Sequence, residues 1–107
     1  MLKPVAPDAI LSYIVIVMDD PIQLPIDGVL DLHTFKPRDV KELVVDYLEA
    51  CLERGIFKVR IIHGKGIGQL RQTVRAILSK HPDVISFSDD HVQYGGWGAT
   101  IVELKPR

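Results

Sequence analysis

Several features that would assign this chain to a secreted, membrane or repeat class are missing. Cys51 is the single cysteine, so no disulfide can form within the chain. It falls on the apolar side of a helical pattern, which suits a small core residue. The apolar run Ala9–Met18 is interrupted by Ser12 and stopped by Asp19-Asp20-Pro21, well short of the ~20 residues a spanning helix needs. It has no basic lead and no small-residue cleavage site, so it does not read as a signal peptide, and a cytoplasmic protein with no membrane contact is expected. Internal repeats and low-complexity segments are absent. Acidic residues are absent from one long stretch, Arg54 to Pro82, which carries Arg54, Lys58, Arg60, Lys65, Arg71, Arg75 and Lys80. The net charge is nonetheless −1, so a generic polyanion binder is not indicated. A local positive field around residues 54–82 is.

The remainder is that of an ordinary globule. A length of 107 residues with 47% hydrophobic and 25% charged residues fits one domain with one core. Residues 1–24 form an N-terminal extension in which Ile10–Val17 reads equally as strand or short helix, and Pro21 and Pro25 break the chain. This extension is a candidate dimerisation segment. Residues 25–107 form the main domain. Asp27–His33 reads as a strand. Pro37 opens a helix carrying Val40, Leu43, Val44, Tyr47, Leu48, Cys51 and Leu52 at helical spacing, and Gly55 closes it. Phe57–His63 is a second strand, residues from Gly68 to Ser79 a second helix ended by His81-Pro82, Val84–Ser88 a third strand, and Ala99–Leu104 a fourth after a polar, glycine-rich loop. The order β-α-β-α-β-β predicts an α/β (α+β) two-layer sandwich: a mixed four-stranded sheet with two helices on one face.

Three clusters carry chemistry. Leu30-Asp31-Leu32-His33 ends the first strand. Asp31 and His33 are two apart and share a face of that strand, so Asp31 is placed to orient the imidazole. His63-Gly64-Lys65-Gly66-Ile67-Gly68 ends the second strand and opens a helix. Loop amides and a helix N-terminus of that kind suit a phosphate, Lys65 adds positive charge, and His63 adds a group that titrates near neutral pH. Arg71 and Arg75 follow, four apart on one helix face. Gly95-Gly96-Trp97-Gly98-Ala99-Thr100 leads into the last strand; the glycines either belong to the site or only allow a tight turn before an edge strand, and Trp97 is either packed or a stacking platform for a base. If the first two strands are parallel neighbours, His33 and His63 lie at one sheet edge, where ligands bind in open α/β sheets. Two histidines there would divide the roles of general acid and base. Each histidine is alternatively a polar strand cap.

Taken together, Leu-Asp-Leu-His, then Ile-Ile-His-Gly-Lys-Gly-x-Gly-x-Leu-Arg, then Gly-Gly-x-Gly-Ala-Thr-x-Val-x-Leu resemble the Smr (small MutS-related) domain, over roughly Leu30 to Leu104. The resemblance implies a fold similar to the C-terminal domain of bacterial translation initiation factor three, binding of branched or structured DNA or RNA, and nicking or cleavage of it. It implies catalytic roles for Asp31, His33 and His63, and phosphate or nucleic-acid contacts from Gly64, Lys65, Gly66, Gly68, Arg71, Arg75, Gly95, Gly96, Trp97 and Gly98. The chain departs from the family pattern at Thr34, where glycine is usual; Thr34 is instead a candidate cap for the helix that starts nearby.

The leading expectation is therefore a small endonuclease. The alternatives are a non-catalytic nucleic-acid-binding module and, from a different class, a small enzyme acting on phosphate esters. No tightly bound cofactor and no dedicated metal site is expected; a divalent ion such as Mg or Mn would be held only if Asp31, His33 and His63 converge.

Overall fold

A computed structural model describes residues 13–16, 22–32, 35–64, 68–90 and 98–106. The elements are β1 (Tyr13–Ile16), β2 (Ile22–Pro25), β3 (Val29–Asp31), α1 (Pro37–Arg54), β4 (Lys58–Ile62), α2 (Gln69–Lys80), β5 (Val84–Asp89) and β6 (Ala99–Leu104).

α1 forms for the reasons legible in its sequence. Pro37 occupies the first turn, where its missing N–H costs nothing, and Asp39 complements the N-terminal end of the dipole. The helix ends in a left-handed Gly55 with φ 78°. The N–H of Ile56 reaches the Cys51 carbonyl at 2.8 Å and that of Gly55 the Leu52 carbonyl at 3.2 Å, a double-bonded C-terminal cap. Its N-cap is Lys36, whose side chain makes no capping hydrogen bond. Thr34 itself lies outside the described residues. All seven apolar positions of the helical stripe are buried, Cys51 among them.

The main sheet has the order β3-β4-β6-β5. β3 and β4 are parallel, with Asp31 opposite Ile62; β4–β6 and β6–β5 are antiparallel. The expected mixed four-stranded sheet is present, with one correction. β6 is not an edge strand: it lies between β4 and β5, because four of its six residues are buried. Leu30, Leu32, Val59, Ile61, Val102 and Leu104 from the sheet join the apolar stripes of α1 and α2 in one core. Each fully buried Leu or Ile contributes about 1.5–3 kcal/mol relative to exposure.

Within the ambiguous run Ile10–Val17, the described residues Tyr13–Ile16 form a strand. β1 pairs antiparallel with β2, which was not expected between two prolines; Pro25 is tolerated because it ends the strand. β2 crosses the boundary expected at residues 24 and 25, and Leu24 packs against the core. The Tyr47 hydroxyl anchors this region to α1. It lies 3.1 Å from the carbonyls of Pro25 and Val29, and the N–H groups of Asp27 and Gly28 donate to it at 3.3 and 3.2 Å. Its single proton serves one carbonyl at a time. Burial pushes the phenol pKa up to about 12, so the hydroxyl keeps that proton.

Candidate functional site

The three sequence clusters meet through backbone hydrogen bonds. The N–H of Leu32, just past β3, donates to the Ile62 carbonyl of β4 at 2.8 Å. The N–H groups of His63 and Gly64 both donate to the Gly98 carbonyl at 2.9 Å. One carbonyl of the glycine cluster thus holds the turn that leaves β4. Gly64 makes that turn with φ 79°, a conformation closed to most side chains. Gly68 then caps α2 in the left-handed region, with no side-chain cap and no acid in the first turn. Among the described residues no side chain caps the N-terminal amides of α2, and the field at that helix end favours an anion.

Beside this turn lies a cavity of about 350 Å³, lined by Phe35, Pro37, His63, Gly64, the first residues of α2 including Leu70 and Arg71, and Thr73. It is mostly apolar on the Phe35, Pro37 and Leu70 side and polar where Arg71 and the helix start face it.

His63 is only 6% exposed, and its ring is engaged at both nitrogens. Nδ1 lies 3.0 Å from the Gly64 carbonyl. A carbonyl only accepts, so Nδ1 carries the proton. Nε2 lies 2.9 Å from Oγ1 of Thr100, itself fully buried; in the neutral tautomer the threonine hydroxyl donates to it. Burial pulls the imidazole pKa below the usual histidine value, and the nearby Arg71 and Arg75 act in the same direction, against the opposing Gly64 carbonyl and Asp89. His63 is therefore a neutral, doubly bonded ring that fixes the β4–α2 turn to β6.

Arg71 and Arg75 share a helix face as expected, but they are not isolated cations. Asp89, at the end of β5, receives Arg71 Nε at 3.0 Å and Nη2 at 2.6 Å, and Arg75 Nη2 at 2.9 Å. These bonds hold the Asp89 carboxyl at about 2, and Asp89 in turn raises the Arg71 pKa. Arg75 also sits 5.3 Å from the centre of the Phe87 ring. Asp90 takes Arg60 at 2.7 Å. The acid-free stretch is thus answered by two aspartates from outside it, and its positive field is smaller than the sequence suggests.

Asp31 and His63 are not brought together. β3 and β4 are in register with Asp31 beside Ile62, and Leu30 and Ile61 face the helices. The pleat then puts Asp31 on the other face from His63, which shares the face of Leu32. The conditional Asp31–His33–His63 metal set includes His33, which lies outside the described residues. Glu49, His81 and Asp83 are the one set of potential ligand atoms that gathers among the described residues. There the His81 Nδ1 accepts from the Asp83 N–H at 3.1 Å, leaving Nε2–H for Glu49 at 3.3 Å, so the ring serves as a tie between helix ends. His33, Lys65, Gly66, Gly95, Gly96 and Trp97 lie outside the described residues.

Sequence reasoning missed Asp89, Phe35 and the role of Thr100. Thr100 carried a signal, since it stands in the glycine motif at a buried strand position. Asp89 and Phe35 carried none that periodicity exposes, because their roles depend on strand order and on the turn after β3.

No helix among the described residues is long and apolar enough to cross a membrane. The family model for the Smr domain matches residues 30–105. The chain is 41% identical over 76 residues to the endonuclease MutS2 of Shouchella clausii, covering 71% of this chain and 10% of that protein. It is 48% identical over 71 residues to the endonuclease MutS2 of Caldicellulosiruptor bescii, covering 65% and 9%. It spans only about a tenth of the length of these relatives. Among solved structures, the Smr domain of Thermus thermophilus MutS2 superposes with a TM-score of 0.69 at 35% identity, over 75% of this chain and all of that one. YdaL, a stand-alone small MutS-related protein from Escherichia coli, gives 0.67 at 27% identity, over 73% of this chain and 64% of that one. The family-model match over residues 30–105, the structural likeness over three quarters of the chain and the three interlocked motifs make this chain a member of the Smr domain family.

Proposed function

We propose that this domain binds branched or structured nucleic acid at the rim where β3 and β4 end and α2 begins, and that it cleaves a phosphodiester bond there. The observation that carries this reading is the backbone lock between the three motifs, which gathers the Gly64 turn, the uncapped start of α2 and the Arg71-lined cavity. Those groups suit a phosphate and the charge that grows on it during hydrolysis. Lys65 and Gly66, in the same turn, and Gly95, Gly96 and Trp97, in the loop that leads to Gly98, complete the contact set in this proposal. The acid–base work falls to His33 with Asp31 as its orienting partner, and His63 keeps the phosphate-facing turn in place. The name endonuclease carried by the MutS2 relatives supports the class of reaction.

A second reading has an observation of its own. With His63 neutral and doubly bonded, only one of the two expected histidines is left for proton transfer, which favours a module that binds without cutting. His33→Ala and Asp31→Asn separate the two. Cleavage of a branched DNA and of a stem-loop RNA, with Mg or Mn and with chelator, is measured beside binding. Loss of cleavage with binding retained supports the nuclease. Binding by the unaltered protein with no cleavage under any ion selects the module. Absence of binding at low salt removes both.

A further inference from the structure

We propose that the cavity beside His63 holds one unstacked nucleobase of the bound nucleic acid, with the adjoining phosphate on its Arg71 side. This rests on the nucleic-acid reading above and adds what is selected: an unpaired base.

Size is the first argument. The cavity of about 350 Å³ lies at the small end of the ~300–1,000 Å³ range of small-molecule sites. At ~30 Å³ per water molecule, it is roughly the space of a dozen waters. A phosphate group fills only a small part of that, so a phosphate site alone leaves most of the cavity unexplained.

The chemistry of the walls is the second. Phe35 and Leu70 each pack against the core yet also line the cavity, and Pro37 continues the apolar side. Arg71, Gln69 and Thr73 supply polar lining. An apolar slot with an aromatic wall, joined to a cationic rim, matches a flat ring that carries an anion on a short tether. A nucleotide has that form. Inside a paired duplex the ring is stacked and out of reach, so the cavity takes a base from a bulge, flap, loop or end. Stacking tolerates every base, so the site selects an unpaired position and not a sequence.

The test uses the unaltered protein and a hairpin with a single-nucleotide bulge, beside the same hairpin with an abasic residue at the bulge. The abasic hairpin is expected to bind about 5- to 150-fold more weakly, the range that base–aromatic stacking supplies. Phe35→Ala is expected to remove the difference, binding both alike. Equal binding of the two hairpins by the unaltered protein overturns the base pocket and leaves nucleic-acid binding standing. No binding of either hairpin at any salt concentration overturns the nucleic-acid reading, and the pocket with it. Binding of a free nucleoside monophosphate as tightly as the bulged hairpin overturns the polymer assignment and points to a mononucleotide site. The comparison of hairpins needs no variant, so a misfolded Phe35→Ala protein leaves it decisive.

Discussion

Replacing Thr100 with valine isolates the contact on which the candidate site's rigidity depends. Valine keeps the shape and removes the hydroxyl that lies 2.9 Å from His63 Nε2. The ring has no second way to satisfy itself: Nδ1 must keep its proton for the Gly64 carbonyl at 3.0 Å, so a change of tautomer breaks one bond to mend the other. An acceptor left unsatisfied in a buried place costs about 1–3 kcal/mol. The new methyl group returns at most ~0.8 kcal/mol of apolar burial. The net loss is about 1–2 kcal/mol, or roughly 5–10 °C in Tm for a domain of this size. Urea and thermal unfolding measure the loss, and Thr100→Ser, which keeps the hydroxyl, is expected to recover most of it. Nitrogen chemical shifts of the His63 ring report the tautomer directly. A Thr100→Val protein as stable as the original, with an unchanged His63 signal, would refute the argued role of this bond.

Other consequences follow from the same charges and bonds. His63 is expected to titrate below the ordinary histidine value of 6.5: its depressed folded pKa means the unfolded chain takes up the proton first, so its contribution to stability falls as pH drops below about 6.5 and levels off below the folded value; NMR titration showing a pKa at or above 6.5 contradicts this. Asp89→Asn releases Arg71 and Arg75 from a carboxyl held at about 2 rather than 3.8; allowing for solvent screening, it lowers stability at pH 7 by about 1 kcal/mol. Stability of the unaltered protein due to Asp89 is full above about pH 4 and is lost as pH falls towards 2. The same variant is expected to bind nucleic acid more tightly and to steepen the dependence of log K on log salt by about one phosphate's worth; unchanged affinity and slope in a titration series reject the idea that Asp89 masks the arginines. Tyr47→Phe deletes the hydroxyl shared by Pro25, Asp27, Gly28 and Val29 and is expected to cost about 1–3 kcal/mol in urea unfolding; a cost under about 0.5 kcal/mol means these backbone groups find water instead.

How much of this was legible in the sequence depends on the range of the forces involved. α1 was legible because a seven-position apolar stripe, Pro37 and Gly55 are local signals, and the helix spans Pro37–Arg54 as expected. β6 was bounded correctly at Ala99–Leu104, since alternating burial leaves a local pattern. β2 was not legible: three residues between two prolines give no periodicity to read, and only pairing with β1 makes them a strand. The sheet order escaped for a related reason, since placing β6 between β4 and β5 is a long-range choice. The site shows the same division. The motifs and their approach to one another were visible, because β3 and β4 pair in parallel. The burial of His63 and its bond to Thr100, 37 residues away, were not, because both depend on the fold. The positive field was overread because Asp89, 14 residues from Arg75, returns to it only through the fold.

The claim that the rim formed by the Gly64 turn and the start of α2 receives nucleic acid is tested most directly by amide chemical-shift mapping with a bulged hairpin. The expected result is a contiguous set of shifts at Gly64, Gly68, Gln69, Leu70 and Arg71, suppressed by added salt. Shifts confined to the far ends of α1 and α2, around Gly55 and His81, with the Gly64–Arg71 rim unmoved, would contradict it.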